Sequence, residues 1–215
     1  MADVDRTLDV QEEARVYDKT DAELLTAAAV GDEDAFAAFF RRHASAVTGF
    51  AVRRAKDPDE VADIVSETFL IALQAAGRYR PETPTAAPWL FGIARRVWIG
   101  RYRTHSRIRR LKVKLDGSSV RYDGSEADSV EAAIDSARQR PILEEALGLL
   151  PDSEREVLEL VAIHGLAPME AAVAMGITAN AARLRLSRAR KRMREHLASE
   201  PSWAPVLGLV EADFA

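Results

Sequence analysis

The chain has 215 residues, a net charge of −4, 47% hydrophobic residues and no cysteine. That length suits one large or two small domains with a real core, and the missing cysteines exclude disulfides and thiolate metal sites. No apolar run is long enough to span a bilayer and the start MADVDRTLDVQEE is acidic, unlike a secretory signal, so a cytoplasmic chain without membrane contact is expected.

The charge is segregated. Residues 1–34 carry eleven acids and three bases, residues 101–114 seven bases and no acid, and residues 116–136 six acids and one base. Basic patches on an acidic protein allow nucleic-acid binding, with a partner supplying much of the phosphate contact.

Residues 1–20 are polar and aperiodic and read as a mobile arm. Helical patterning starts at Asp21 with Leu24 and Leu25, and Val30 precedes a turn at Gly31-Asp32. Asp32 or Asp34 is expected to cap the next helix. Its Phe36, Phe39, Phe40, Val47, Phe50 and Val52 are core candidates, interleaved with Arg41, Arg42, Arg53 and Arg54.

Asp57-Pro58-Asp59-Glu60 opens a further helix, with Asp at the cap, Pro at the first position and Glu three residues after the cap. Val61, Ile64, Val65, Thr68, Phe69 and Ala72 form its inward face. Asp63, Glu67 and Leu70, at i, i+4 and i+7, share an outward stripe. From periodicity alone, solvated surface is the commoner reading of such a stripe.

Gly77 is expected to end this helix. A loop with three prolines follows from Arg78 to Pro88, where arginines and Tyr79 could meet a single strand. Pro88 opens the segment PWLFGIARRVWIGRYRTHSR. Leu90, Ile93, Ala94 and Val97 make a core stripe; Phe91, Arg95, Trp98 and Tyr102 make a second one. Aromatic faces can stack on unpaired bases, but core between packed helices is the commoner reading of Trp89, Phe91 and Trp98. The basic residues 104–114 extend this helix. Residues 115–136 read as an acidic linker, with a helix restarting near Ser129.

Residues 150–197 have helix-turn-helix patterning. A first helix is expected from Ser153, boxed with Glu156, to His164, with Gly165 as its stop. A short second helix has Pro168 in its first turn and ends at Met175-Gly176. Thr178 caps a third that runs to about Leu197. On it Ala182, Leu186, Ala189, Met193 and Leu197 recur at helical spacing. Seven cations lie among its other positions: Arg183, Arg185, Arg188, Arg190, Lys191, Arg192 and Arg194. A solvated helix usually mixes signs, and here only Glu195 interrupts the run. The helix therefore suits a major groove, with its first turns at base edges. The tail, residues 199–215, carries Trp203, Val206, Leu207, Leu209, Val210 and Phe214 without an assignable role.

Together the halves resemble an extracytoplasmic-function (ECF, group 4) sigma factor of bacterial RNA polymerase. The first half, Asp21–Ser106, resembles sigma region 2 through Asp34-Ala35-Phe36, Asp63-Ile64-Val65-Ser66-Glu67-Thr68-Phe69 and Trp89-Leu90-Phe91-Gly92-Ile93-Ala94-Arg95. The second, Arg140–Leu197, resembles region 4 through Leu150-Pro151, Arg155-Glu156-Val157-Leu158, Gly176-Ile177 and Arg185-Leu186-Ser187-Arg188-Ala189-Arg190.

The resemblance implies an all-α fold. A region 2 domain (21–114) and a region 4 domain (137–198) are joined by the linker. It implies core polymerase, promoter DNA and an anti-sigma factor as partners. Asp63, Glu67 and Leu70 would meet the coiled coil of the polymerase β′ subunit. Arg78, Tyr79, Arg80 and Thr83 of the loop, with Arg95, Arg96, Trp98, Arg101 and Arg103 of the helix, would hold the melted −10 element. Thr178, Asn180, Ala181, Arg183, Leu184, Arg185, Ser187, Arg188 and Lys191 would read the −35 element, and the end of that helix would approach the β flap.

The chain departs from the family pattern at several places. Arg96 stands where Asn is common and Gly100 where Asp is common. Ala167 replaces a Ser or Thr cap. Ala181 and Leu184 replace small polar residues on the reading helix, and Leu184 suits either contact with a thymine methyl or simple repacking. No catalytic residue, cofactor or metal is expected, because His43, His105, His164 and His196 are dispersed without carboxylates at ligand spacing. The alternative is a stand-alone helix-turn-helix regulator whose first half dimerises or senses a ligand.

Overall fold

The computed structural model describes residues 19–81, 83–113 and 146–197, with side chains to Arg103 in the first half and to His196 in the second. Most of the expected arm, the linker with its helix restart near Ser129, and the tail lie outside these residues. The chain divides into two compact units, Met1–Asp123 and Gly124–Ala215. The described residues form helices and turns, without strands.

Among the described residues the first unit has four α-helices: α1 (Asp21–Ala28), α2 (Glu33–Val52), α3 (Pro58–Ala75) and α4 (Ala87–Val113). Local chemistry fixes their starts. Thr20 caps α1 in a full capping box with Glu23. Asp32 Oδ1 accepts from Ala35 N at 2.9 Å and opens α2, which resolves the Asp32 or Asp34 alternative. Asp57 Oδ1 accepts from Glu60 N at 2.8 Å and opens α3 with Pro58 at its first position. Glu60 itself reaches back to Lys56 N at 2.8 Å, one residue before the cap. Helix α3 stops at Ala75 and tightens into a 3-10 turn, Ala76–Arg78, that contains Gly77.

Helix α2 packs on α1, α3 and α4, and α3 packs on α4. Leu24, Leu25, Phe39, Val47, Phe50, Ile64, Leu90 and Ile93 are buried between them. Each such side chain contributes roughly 1.5–3 kcal/mol on leaving water. Phe39 meets Phe69 edge-on at 6.4 Å. Two core expectations are corrected. Phe40 is 40% exposed and Val52 is 50% exposed. Phe40 follows Phe39, so the helical turn carries it around to the rim, where its ring meets that of Phe69 at 4.6 Å. Val52 is the last residue of α2, beyond the packed stretch.

The second unit has α5 (Asp152–Ala162), α6 (Pro168–Met175) and α7 (Ala179–Leu197), each packed on the other two. Val157, Leu160, Ala171, Ala172, Met175, Ala182, Leu186, Ala189 and Met193 form its core, joined by Ala146 and Leu150. The Ser153 capping box is absent. Helix α5 starts earlier, because the carbonyl of Pro151 already accepts from Glu154 N at 2.8 Å and Arg155 N at 3.0 Å. That puts Ser153 inside the first turn.

The two turns of this unit require glycine. Gly165 (φ 68°) and Gly176 (φ 64°) both sit in the left-handed region, where a Cβ is strained. Ala167 precedes α6 and has no side-chain acceptor to offer. Glu170 makes half a box alone, accepting from Ala167 N at 2.8 Å. Thr178 caps α7 as expected, with Oγ1 accepting from Ala181 N at 3.2 Å.

Candidate nucleic-acid interface

Asp63 and Leu70 are exposed on α3 and Glu67 is half-exposed, so the expected stripe lies on the outside of the unit. Leu70 is 55% exposed and Leu73, one turn away, adds to the apolar margin. The stripe is not a bare acidic surface. Arg101 of α4 reaches it, with Nη2 donating to Asp63 Oδ2 and Nη1 donating to Glu67 Oε2 at 3.3 Å. The family resemblance groups Arg101 with the −10 residues. The structure brings it against the docking candidates.

The loop after α3 is tied down at several points. Tyr79 is half-buried against Trp89, their rings 4.9 Å apart and inclined by 54°. Arg78 and Arg80 are exposed, and Arg80 donates to its neighbour's carbonyl, Tyr79 O, at 2.9 Å. Thr83 Oγ1 donates to Thr85 O at 2.6 Å, so its hydroxyl proton is used within the loop. At the far end, Ala86 N donates to Asp21 Oδ2 at 2.7 Å.

Asp21 was missed by sequence reasoning. Its carboxylate, 4% exposed, also accepts from His43 Nε2 at 2.9 Å and Arg42 Nη1 at 2.7 Å. Burial alone would raise its pKa. The bonds from His43, Ala86 N–H and Arg42 outweigh burial and hold it at about 2. One carboxylate thus joins α1, α2 and the end of the loop. His43 has no carboxylate at ligand spacing in the sequence; its partner Asp21 lies twenty-two residues away, where spacing rules cannot see it. Among the described residues, no group of three or more His, Cys, Asp or Glu side chains could hold a metal ion.

Helix α4 presents a mixed face beyond the loop. Phe91 is buried against Phe50 at 5.8 Å and belongs to the core. Trp89, Arg95 and Trp98 are half-buried; Arg96, Tyr102 and Arg103 are exposed. Trp98 lies 6.0 Å from Tyr102. The Arg54 guanidinium sits 3.8 Å above the Phe50 ring and 5.6 Å from that of Trp98, a cation near the aromatic face that sequence reasoning left without a role.

In the second unit, α7 divides cleanly. Ala182, Leu186, Ala189 and Met193 are buried. Thr178, Asn180, Arg183, Leu184, Ser187, Arg188 and Lys191 are exposed, while Ala181 and Arg185 are half-buried. Leu184 is 49% exposed, so it is available for contact rather than packed inside. Toward the end of the helix the cations acquire partners. Lys191 lies 3.8 Å from Glu195 and Arg192 Nε lies 3.1 Å from Glu154 Oε2 of α5. Arg183, Arg185 and Arg188 make no ion pair among the described residues. Arg183, Arg185 and Arg188 therefore keep their charge uncompensated on the first half of the helix, as does Arg194 near its end, which donates to Arg190 O at 3.4 Å.

Comparison with known proteins bears on both units. A family model described as Sigma-70 region 2 matches residues 39–108, and one described as Sigma-70, region 4 matches residues 140–193. The RNA polymerase sigma factor CarQ of Myxococcus xanthus is 33% identical over 168 residues, 78% of this chain and 91% of CarQ. The ECF RNA polymerase sigma factor SigL of Mycobacterium tuberculosis is 28% identical over 170 residues, 79% of this chain and 93% of SigL. A solved structure of CnrH in complex with the cytosolic domain of CnrY is 27% identical, with a TM-score of 0.60, and the match covers 85% of this chain and 99% of that one. Two region models matched in order, and relatives matched over most of their length, place the chain in the sigma-70 family as an extracytoplasmic-function RNA polymerase sigma factor.

Proposed function

We propose that a region 2 domain (21–114) docks on core RNA polymerase and holds the melted −10 element, while a region 4 domain (137–198) reads the −35 element across the linker 115–136. Asp63, Glu67 and Leu70 are the docking residues. Arg78, Tyr79, Arg80, Thr83, Arg95, Arg96, Trp98 and Arg103 line the strand-capture surface. Thr178, Asn180, Ala181, Arg183, Leu184, Arg185, Ser187, Arg188 and Lys191 meet the −35 duplex. The observation that carries this reading is the set of unpaired cations on the first turns of α7, the part of a reading helix that meets base edges.

The chain works by binding energy, without catalytic residues or a cofactor of its own. Unstacking a base costs a few kcal/mol, offset by pocket and phosphate contacts. The net charge of −4 keeps the isolated chain a weak DNA binder until polymerase joins it. We place it in the cytoplasm with its polymerase. None of the described helices is long and apolar enough to cross a membrane. Control by an anti-sigma factor is supported by the similar protein CnrH, whose solved structure holds the cytosolic domain of CnrY.

Run-off transcription from genomic DNA tests this reading. Core polymerase plus the chain should give discrete start sites that core alone does not give. No new start sites, with tight duplex binding by the chain alone, would favour a stand-alone regulator.

A further inference from the structure

We propose that Arg101 is an internal competitor for the polymerase-docking stripe, holding Asp63 and Glu67 until cations of the partner displace it. The proposal rests on the reading of that stripe as the docking surface.

The geometry suits a competitor. Asp63 and Glu67 are one turn apart on α3, and the planar guanidinium of Arg101 on α4 spans both carboxylates with two prongs. A basic partner therefore meets carboxylates already bound to a cation. The hold is nevertheless loose. The side chains of Asp63 and Glu67 are 57% and 44% exposed, so water and salt weaken each link. Arg101 Nε is covered and donates to nothing among the described residues, so part of the guanidinium is desolvated without return. Such a contact holds the free chain and yields to a partner that offers better-satisfied cations.

Displacement has a second consequence. Arg101 stands on the helix that carries Arg96, Trp98 and Arg103. Once Asp63 and Glu67 are taken by polymerase, its charge is available on that helix for phosphate. By linkage, DNA that engages Arg101 frees the carboxylates for polymerase to the same degree. Docking and strand capture are thereby coupled through one side chain.

The test measures the affinity of the full chain for core polymerase by fluorescence anisotropy, at low and high salt. Arg101→Gln is expected to bind core about three- to tenfold tighter than wild type at low salt, with the gain shrinking as salt rises. Arg101→Lys keeps the charge without the fork and should fall between the two. A merely structural role for Arg101 cannot give tighter binding. Arg101→Gln binding core no better than wild type, while Asp63→Arg/Glu67→Arg still loses binding, would overturn the competitor and leave the docking reading standing. Unchanged binding by Asp63→Arg/Glu67→Arg would overturn the docking reading and the competitor with it.

Discussion

The two units build their surfaces in different ways. In the second, one helix does nearly everything. Helix α7 buries Ala182, Leu186, Ala189 and Met193 and turns Arg183, Leu184, Ser187 and Arg188 outward. In the first, the surfaces arise where helices meet. Arg101 of α4 closes on Asp63 and Glu67 of α3, and Asp21 of α1 holds His43 of α2 and the end of the loop at Ala86. A surface carried by one helix tolerates loss of a neighbour; a surface made between helices depends on their packing.

Core truncation should expose that dependence most. Phe39 is fully buried between Phe69 and His43. Phe39→Ala is expected to destabilise the first unit by about 3–5 kcal/mol. Urea denaturation should show it together with loss of core binding, while −35 duplex binding by the second unit persists. Equal damage to both activities would break the comparison.

Removing the buried carboxylate comes next. The folded pKa of Asp21, about 2, lies below its ordinary value of 3.8, so its stabilisation is present above about pH 4 and lost as pH falls through 2. Asp21→Asn should cost about 2 kcal/mol at neutral pH, with the gap to wild type closing in acid. A gap that stays constant from pH 7 to pH 2 would contradict the assignment. The smallest effect is local to the other unit. Thr178→Ala removes the acceptor for Ala181 N and should cost about 1 kcal/mol, seen as an earlier melt of the second unit alone.

What could be read from the sequence follows the same division. Helix α7, its Thr178 cap and the Gly176 turn were legible because periodicity and capping act within a few residues. So were the start of α3 at Asp57-Pro58 and the outward stripe on that helix. The Asp21–His43 and Asp21–Ala86 contacts span 22 and 65 residues, and the Asp63–Arg101 pair spans 38. Nothing local marks such pairs. Phe40 and Val52 misled for a related reason: hydrophobic type was clear, but the rim of the packed stretch is set by the neighbouring helices. Ser153 misled because the Pro151 carbonyl takes the first helical bonds.

The most direct measurement of the central claim is the affinity of wild type and Asp63→Arg/Glu67→Arg for core RNA polymerase. Wild type is expected to bind tightly and the variant to lose on the order of 100-fold or more, since opposed charges become like charges. Its melting should stay close to wild type because Asp63 is exposed and Glu67 half-exposed. Equal binding by the two proteins, or none by wild type, would contradict it.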